Sequence, residues 1–459
     1  MNITKELKEQ FKTIVGKDNY FDNPEELITY SYDATNFSHK PDVVLLPVNA
    51  KQISEILKIA NSNNIPVYTR GAGTNLSGGS IPLEGGIALA LTKMNKIIAI
   101  NREDLTAIVE PGVITEEFKN EVAKQGLFYP PDPASMAMCT LGGNVAENAG
   151  GPHCLKYGVT RDYVLGLEVV LANGDIINTG SQTIKNVTGY DLTSLFVGSE
   201  GTLGVVTKII LKLIPLPSHR VTILAAFNKA EDAVKSVSKV LSRQILPSVI
   251  EIMDNISINC VEGYLNMGLP KDKDALILFE FDTKESKAEA EKTIEVCKEL
   301  GAVNIKIEDN PAGCDLLFKA RKSIAPALGR IAPFKLMEDI VVPRSRLSEY
   351  FIFVKELMKE TGVKIASFGH AGDGNIHTNI LVKDRSEKEV RKADEILGKI
   401  FRKVISLGGV ISGEHGIGFL KAAYLEENVG TTPYEIMKNI KKMFDPKNIL
   451  NPGKIFREI

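Results

Sequence analysis

The sequence predicts a two-domain α+β protein, and three observations lead to that class. A chain of 459 residues is too long for one small hydrophobic core. Its first half combines short apolar strands, a clear amphipathic helix and glycine-rich loops. After Pro215 and Pro217 the pattern changes to two strand–helix–strand units in series, which favour a ferredoxin-like layer. We therefore expect a second domain from about residue 220.

Apolar runs and turn residues set the order of elements in the first domain. Strands are predicted at residues 43–47, 66–69, 87–92, 106–109, 165–171 and 205–213. Residues 50–63 carry Ile53, Ile56, Leu57 and Ala60 on one stripe, which predicts an amphipathic helix. Residues 130–151 are rich in Gly, Asn, Ala and Pro and are predicted to form a long functional loop without regular structure.

The second domain is predicted from the two strand–helix–strand units. The first comprises strand 221–227, helix 229–243 and strand 248–253, and the second comprises strand 275–281, helix 285–300 and strand 302–307. A helix-rich region with histidine and glutamate motifs follows. The chain then ends in a loop-like tail over residues 444–454, with turns at Pro446 and Pro452.

Net charge, the cysteine pattern and the lack of long apolar runs make several classes of protein less favourable. The net charge is −2, which does not favour nucleic acid or an anionic membrane as partner. The five cysteines are scattered without a C-x-x-C pair, so neither a disulfide framework nor an iron–sulfur cluster is indicated, and free thiols fit a reducing cytoplasm. The N-terminus is a charged helical pattern rather than a signal peptide, and no apolar run could form a transmembrane segment. We expect a cytoplasmic protein.

Three of the six histidines lie in the segments HAGDGNIH (residues 370–377) and GEHG (residues 413–416). Imidazole and carboxylate are ligands of divalent metals. Asp373 and Gly374 signal a two-residue hairpin turn, which would pair residue 370 with 377 at a Cβ separation of roughly 5 Å. This pattern predicts that His370 and His377 share one ion. The alternative is a glycine-rich loop with two ordinary histidines.

The segment RGAGTNLSGGS (residues 70–80) follows a strand as a dinucleotide fingerprint does. However, Leu76 stands where the third glycine belongs, and no helical pattern follows. What remains is either an anion-binding nest of backbone N–H groups or a structural glycine turn. Residues 130–135, 140–151 and 198–206 are similarly small, and together they fit the extended body of a dinucleotide against the main chain.

Several motifs, in their order along the chain, resemble those of the vanillyl-alcohol oxidase flavoprotein superfamily. Residues 70–79, 131–135, 142–151, 156–162 and 199–206 resemble its FAD-binding domain. Residues 370–377, 413–418 and 451–454 resemble its FAD-linked D-2-hydroxyacid dehydrogenase branch, which includes D-lactate dehydrogenases and the glycolate oxidase catalytic subunit. The resemblance implies an FAD-binding domain at 1–219, a ferredoxin-like substrate (cap) domain with a metal site at 220–420, and a segment at 421–459 that returns to the FAD domain.

The resemblance also implies how the cofactor is held. Some members link the flavin covalently to a histidine of the first loop, but this loop has Thr74, and no histidine lies between residues 40 and 152. We therefore expect non-covalent FAD, unless His153 or a histidine of the substrate domain is positioned for the link. The implied cofactor-binding residues are Arg70, Gly71, Ala72, Gly73, Thr74, Asn75, Gly78, Gly79, Pro131, Asp132, Ser135, Gly142, Gly143, Asn144, Ala146, Asn148, Gly150, Glu200, Gly201, Gly204, Val205 and Val206.

The same resemblance assigns the chemistry. The implied ligands of a divalent metal (Zn, Fe or Mn) are His370, His377 and Glu414. The implied base is His415, and the implied substrate-binding cations are Arg321 and Lys335. The alternatives to these functional roles are a salt-linked surface pair for residues 414 and 415, and solvated surface charges for residues 321 and 335. Related enzymes for a longer dicarboxylic acid have Thr where this chain has Ala325, which weakens the case for a second substrate carboxylate.

The expected reaction is oxidation of a small D-2-hydroxy acid, D-lactate before glycolate, to the 2-oxo acid, with hydride transfer to FAD N5. The sequence has no iron–sulfur cysteine pattern and no second nucleotide fingerprint. Electrons are therefore expected to pass to a redox partner protein, either an electron-transfer flavoprotein or an iron–sulfur subunit. Two alternatives stay open: a metal-independent flavin oxidase that uses oxygen, and a flavin-binding subunit with a structural role in a redox complex. Whether the chain forms an oligomer is also open.

Overall fold

The computed structural model describes residues 3–332 and 334–458, which form two compact units. The first unit comprises residues 3–150, 159–216 and 414–458, and the second comprises the rest. The chain thus passes into the second unit after residue 216 and leaves it after residue 413, and residues 151–158 also belong to the second unit. The functional division predicted at 219 and 420 stays a prediction.

Strands and helices occur throughout both units. The strands are β1 Tyr20–Phe21, β2 Val43–Leu45, β3 Val67–Arg70, β4 Ile87–Ala90, β5 Ile97–Asn101, β6 Thr106–Val109, β7 Leu127–Phe128, β8 Val164–Val170, β9 Ile176–Gly180, β10 Val205–Lys212, β11 Ile214–Pro215, β12 Val221–Phe227, β13 Val249–Asp254, β14 Ala275–Phe281, β15 Val303–Glu308, β16 Phe334–Val341, β17 Lys364–His370 and β18 Asn375–Val382. The helices are α1 Lys5–Val15, α2 Pro24–Thr29, α3 Ala50–Asn63, α4 Thr115–Ala123, α5 Leu141–Glu147, α6 Cys154–Tyr157, α7 Leu192–Phe196, α8 Ala230–Ser242, α9 Asn255–Leu265, α10 Ser286–Glu299, α11 Pro311–Lys322, α12 Ile324–Ile331, α13 Leu347–Thr361, α14 Glu387–Ser406, α15 Leu425–Val429 and α16 Thr431–Phe444.

Two larger sheets build the first unit. One has the order β1-β2-β4-β3, in which β2, β4 and β3 are parallel, and the other is antiparallel with the order β5-β6-β10-β8-β9. Helix α3 begins after Asn49, whose side chain accepts a hydrogen bond from Gln52 N at 3.0 Å. Its predicted apolar stripe is buried in the core. The glycine-rich loop therefore starts at the carboxyl end of a parallel strand, where ligands of α/β sheets commonly bind.

Residues 130–151 are not one continuous loop, so that prediction was wrong. Helix α5 begins after Thr140, whose hydroxyl accepts a hydrogen bond from Gly143 N at 3.3 Å. It ends at Asn148, which has a left-handed φ of 51°. Two adjacent glycines lower the intrinsic helix propensity, so tertiary packing and the cap stabilise this helix instead.

The second unit contains a seven-stranded antiparallel sheet with the order β15-β12-β14-β13-β17-β18-β16. Its first four strands, with α8 and α10 as connections, have the ferredoxin-like order, so the predicted α+β fold is confirmed. The predicted histidines lie on β17 and β18, which extend this sheet. Within residues 3–332 and 334–458, no helix has the length and apolar character needed to cross a bilayer.

Candidate active site

Strands β17 and β18 bring the two histidines of the first motif together, but not in the predicted register. Phe368 pairs with His377, and His370 pairs with Asn375, so residues 371–374 form a four-residue turn. A type I′ two-residue turn needs positive φ at both central residues, and of 373 and 374 only Gly374 has it, at 80°. The shift is two residues, so both histidines still face the same side. Their ring centroids lie 5.2 Å apart.

One face of four neighbouring strands, β13, β17, β18 and β16, collects polar side chains. Side chains directly opposite in the register share a face, and along each strand every second residue does. The pairs Glu251–His370, His370–Asn375 and His377–Asp339 therefore lie on one side. We call this surface the polar face; its polar members that are buried or half-buried are Glu251, Lys335, Asp339, His370, Asn375, His377 and Asn379.

Glu251 is a polar-face residue that the sequence analysis did not single out. It is 1% exposed, and its two carboxylate oxygens accept hydrogen bonds from His370 Nδ1 and Arg321 Nε. Burial alone would raise the pKa of Glu251, but the charges of Arg321 and His370 hold that pKa below its ordinary value. The guanidinium of Arg321 also lies 4.8 Å from the ring centroid of Phe368. The side chain of Arg321 is 11% exposed and is oriented by both contacts, so Arg321 is not a solvated surface charge.

Asp339 is the second carboxylate that sequence reasoning missed. It is fully buried, and it accepts hydrogen bonds from Asn375 Nδ2 at 2.6 Å and from Gly413 N at 2.8 Å. The nearest distance between its carboxylate and His377 Nδ1 is 3.9 Å. Gly413 directly precedes the predicted ligand Glu414. The hydrogen bond from Gly413 N to Asp339 therefore holds the backbone just before Glu414. The only signal in the sequence was an acidic pair that precedes an apolar run.

Lys335 and Asn379 are the remaining members of the polar face. Lys335 is half-buried, and burial lowers the pKa of its ammonium group. Asn379 is fully buried and donates from Nδ2 to the carbonyl of His377 at 3.3 Å. Its Oδ1 has no hydrogen-bond partner in the described part of the chain. A buried amide oxygen in that state costs about 1–3 kcal/mol, so it suits a donor from a bound molecule.

The first unit contains a cavity that starts at the carboxyl end of β3. Its walls include most of the predicted cofactor-binding residues, namely Arg70, Gly71, Ala72, Gly73, Thr74, Asn75, Gly79, Ser135, Gly142, Gly143, Asn144, Ala146, Gly150, Glu200, Gly201, Gly204 and Val206. The lining does not include Gly78, Pro131, Asp132, Asn148 and Val205. It does include Glu414, a predicted metal ligand, and His415, the predicted base.

Close backbone approach explains the small residues of the first loop. A Cβ at Gly71 would lie 2.2 Å from Thr140 Oγ1, and a Cβ at Gly73 would lie 1.9 Å from Arg70 Nη2. Gly73 also has a φ of 73°, which favours glycine. Arg70 is buried and donates from Nη1 to the carbonyls of Tyr30 and Tyr32, each at 3.0 Å. Arg70 thus supports the loop that lines the cavity.

Side-chain hydrogen bonds tie the separate segments of the cavity to one another. Asn75 accepts from Gly79 N at 2.7 Å and donates to Glu147 Oε1 at 2.5 Å, which links the first loop to α5. Asn451 accepts from Thr69 N at 3.0 Å and donates to the carbonyl of Glu200 at 2.5 Å. Neither Glu147 nor Asn451 is among the site residues expected from the sequence. Burial, followed by the charge of Glu200, raises the pKa of Glu147 well above its ordinary value.

Hydrogen bonds to Glu200 also hold the segment that contains His415. The carboxylate of Glu200 accepts hydrogen bonds from Ile417 N and Gly418 N, both at 2.7 Å. A Cβ at Gly416 would lie 2.0 Å from Glu147 Oε2, and the φ of Gly416, at 80°, favours glycine there. His415 Nε2 lies 3.8 Å from Glu414 Oε1, and both side chains are 13% exposed. The two residues are therefore not a solvated surface pair.

Comparisons with known proteins agree with both units. The family "FAD linked oxidases, C-terminal domain" matches residues 216–455, and the family "FAD binding domain" matches residues 41–180. The glycolate oxidase subunit GlcD of Bacillus subtilis (strain 168) is 45% identical over 99% of this chain and 97% of that protein. The D-lactate dehydrogenase of Anaerostipes hadrus is 36% identical over 99% of this chain and 98% of that protein.

A solved structure of p-cresol methylhydroxylase with substrate bound has a TM-score of 0.82 at 21% identity, over 99% of this chain and 98% of that one. This likeness supports the fold, and the sequence matches establish the family. The glycine-lined cavity fits FAD, because side chains are excluded where a cofactor would lie against the main chain. The chain is therefore an FAD-binding oxidoreductase, and it belongs to the branch of the vanillyl-alcohol oxidase flavoprotein superfamily that includes D-lactate dehydrogenases and glycolate oxidase subunits.

Proposed function

We propose that this protein oxidises a small D-2-hydroxy acid, D-lactate before glycolate, to the 2-oxo acid. The observation that carries the proposal is Arg321, a cation with an 11% exposed side chain that Glu251 holds beside the histidine pair of the polar face. A carboxylate next to the reacting carbon requires such a cation. Relatives named D-lactate dehydrogenase and glycolate oxidase subunit support the same class of substrate.

Arg321 and Lys335 bind the substrate carboxylate in this proposal. Arg321 uses Nε for Glu251, so its two terminal nitrogens can form a fork with a carboxylate. Lys335 adds a point charge from the same face of the sheet, and a bound carboxylate would compensate the cost of burying its ammonium group. A single small acid satisfies both groups, and Ala325 supplies no hydroxyl for a second carboxylate.

His370, His377 and Glu414 are the proposed ligands of a divalent cation. The support is that imidazole and carboxylate are ligands of such ions, that the two imidazoles share a face and that Glu251 orients one of them. When bound, the cation would supply Lewis-acid polarisation of the substrate hydroxyl. Asn379 offers an unpartnered buried oxygen on the same face, which can accept a hydrogen bond from a donor bound there.

His415 is the proposed base. Its imidazole lines the cavity of the first unit, and Glu200 holds the backbone that follows it. A neutral imidazole takes the hydroxyl proton near neutral pH. FAD, when bound in the cavity, supplies the hydride acceptor at N5. We further propose that its binding is non-covalent, because Thr74 stands in the first loop.

The experiment is an anaerobic titration of the purified yellow protein with D-lactate, glycolate and L-lactate, followed by flavin absorbance. D-Lactate should bleach the flavin fastest. His377→Ala should lose metal, measured by elemental analysis, and slow this reduction while FAD stays bound. His219→Ala is the matched control, because His219 is exposed and bonds to Ser218. No reduction by any of these acids would overturn the substrate class, and full metal content in His377→Ala would overturn the ligand set.

The proposed electron acceptor is a partner redox protein, either an electron-transfer flavoprotein or an iron–sulfur subunit. The support is the word "subunit" in the name of the Bacillus subtilis relative. The isolated protein should then oxidise D-lactate with an artificial dye but reduce NAD⁺ negligibly. Rapid NAD⁺ reduction would contradict the partner, and fast hydrogen peroxide formation would favour an oxidase instead.

A further inference from the structure

We propose that Glu251 is a positioning residue that couples metal ligation to recognition of the substrate carboxylate. This inference rests on the proposed function, because it assigns His370 to the metal and Arg321 to the carboxylate. Glu251 is the group in contact with both, and each of its carboxylate oxygens serves one of them. It lies on the polar face directly opposite His370 in the register.

The contact with His370 determines which ring nitrogen can bind metal. A carboxylate accepts hydrogen bonds only, so it keeps the imidazole proton on Nδ1. The lone pair of the neutral ring is then on Nε2, the atom offered to the cation. A carboxylate in this place also raises the basicity of the ligand and fixes the plane of its ring.

The contact with Arg321 determines how the guanidinium presents its fork. Nε is held by Glu251, and the guanidinium carbon lies over the Phe368 ring, 4.8 Å from its centroid. Phe368 is in turn the cross-strand neighbour of His377, with ring centroids 5.4 Å apart. Both contacts limit rotation of Arg321, so a substrate carboxylate meets an oriented pair of terminal nitrogens.

Burial makes these two contacts interdependent. Glu251 is 1% exposed, so water does not replace a partner that moves away. A buried carboxylate that loses one partner is strongly destabilised unless the remaining partner moves to compensate. A change at the carboxylate site is therefore transmitted to His370 through one side chain.

Glu251→Gln tests the inference, because it keeps the shape and replaces one acceptor oxygen with an amide donor. That donor must face either Arg321 Nε or His370 Nδ1. The affinity of chelator-treated protein for Zn²⁺, measured by competition with a chromophoric chelator, should fall roughly 10–100-fold. The KM for D-lactate should rise in the metal-loaded enzyme. In ¹⁵N-histidine-labelled protein without metal, the His370 signals should show loss of a fixed Nδ1–H tautomer.

Asp254→Asn is the matched control. Asp254 is a buried carboxylate on the same strand, but its position faces the opposite side of the sheet, and it accepts from Ser257 N at 2.8 Å and Ser367 N at 2.7 Å. This variant should lose stability and keep the wild-type Zn²⁺ affinity and His370 tautomer. If Glu251→Gln does not fold by circular dichroism, Glu251→Asp replaces it, since the shorter carboxylate cannot span both partners.

The outcomes separate this inference from the proposed function. A folded Glu251 variant with wild-type Zn²⁺ affinity and an unchanged His370 tautomer would overturn the role of Glu251 alone. If wild-type protein binds no Zn²⁺, or if His377→Ala binds it as tightly as wild type, the proposed metal site fails instead. Equal losses in Glu251→Gln and Asp254→Asn would show a general effect of a damaged sheet and would also overturn the positioning role.

Discussion

Gly143 in α5 tests whether the cavity of the first unit holds FAD, and its neighbour Gly142 supplies the control. Both glycines line the cavity. A Cβ at Gly143 would meet one atom within 4 Å, Thr140 Oγ1 at 3.4 Å, whereas a Cβ at Gly142 would lie 2.5 Å from Pro111 Cβ. A side chain at 143 therefore extends into space that the protein leaves open, and a side chain at 142 disrupts packing.

The two substitutions differ in the property that they change. Gly143→Val should leave the free energy of unfolding of the apoprotein within about 1 kcal/mol of wild type, because valine has a slightly better helix propensity than glycine. Overpacking costs about 1–3 kcal/mol, which here opposes FAD binding and corresponds to a Kd increase of roughly 5–150-fold. Gly142→Ala should instead reduce the free energy of unfolding by about 1–3 kcal/mol, because its methyl group meets Pro111.

The assays are flavin titration of the apoprotein, followed by quenching of flavin fluorescence, and urea unfolding without FAD. Gly263→Ala corrects for expression and handling, because Gly263 is exposed in α9 and a Cβ there would have no atom within 4 Å. Wild-type FAD affinity in Gly143→Val would refute the assignment of the cavity. Equal destabilisation of the two apoprotein variants would refute the claim that these neighbours have different surroundings.

Three further predictions concern the base, the flavin linkage and one buried lysine. His415→Asn should slow flavin reduction by D-lactate roughly 10²–10⁴-fold with a smaller change in KM, and a wild-type rate across the pH range in stopped-flow measurements would point to another base. Acid precipitation should release all flavin into the supernatant, whereas yellow colour in the pellet would reveal a covalent bond. Burial lowers the pKa of Lys454 to about 7, and its Nζ donates to the carbonyl of Gly78 at 2.6 Å. Between about pH 7 and the ordinary lysine pKa the unfolded chain holds a proton that the folded protein lacks, so this group makes stability rise with pH there by at most roughly 1.4 kcal/mol per unit. Lys454→Met should remove that rise in urea unfolding at pH 7 and pH 9, and an unchanged slope would contradict it.

Elements with a strong period could be predicted from the sequence almost to the residue. Helix α3 was predicted at 50–63 and observed at Ala50–Asn63, and strands β12 and β14 have the predicted bounds. Their apolar spacing reflects burial, which is local information that the sequence carries. Helix α5 lacks that signal, because its cap at Thr140 and the contact of Gly142 with Pro111 depend on tertiary structure.

The hairpin illustrates a different limit. The dipeptide at 373 and 374 favours a two-residue turn, yet the carbonyl of Gly374 accepts a hydrogen bond from Val342 N at 3.0 Å. A Cβ at Gly374 would lie 2.0 Å from the Val342 carbonyl. Contacts with Val342, which follows β16 and is distant in sequence, thus favour the longer turn. The shared face of the histidines could still be predicted, because a register shift of two residues preserves it.

The missed residues of the polar face are buried acids, and strand parity separates acids that serve the site from acids that serve the fold. Glu251 and Asp254 both lie in the apolar strand β13, and in the sequence they look equivalent. The odd-numbered residue shares its face with His370, whereas the even-numbered one faces the other side and caps α9. An acid within a buried strand therefore becomes a candidate site residue only when the residue opposite it on the neighbouring strand is known. The sequence shows that alternate residues of a strand face the same side, but only the position of β13 beside β17 in the sheet shows that Glu251 lies opposite His370.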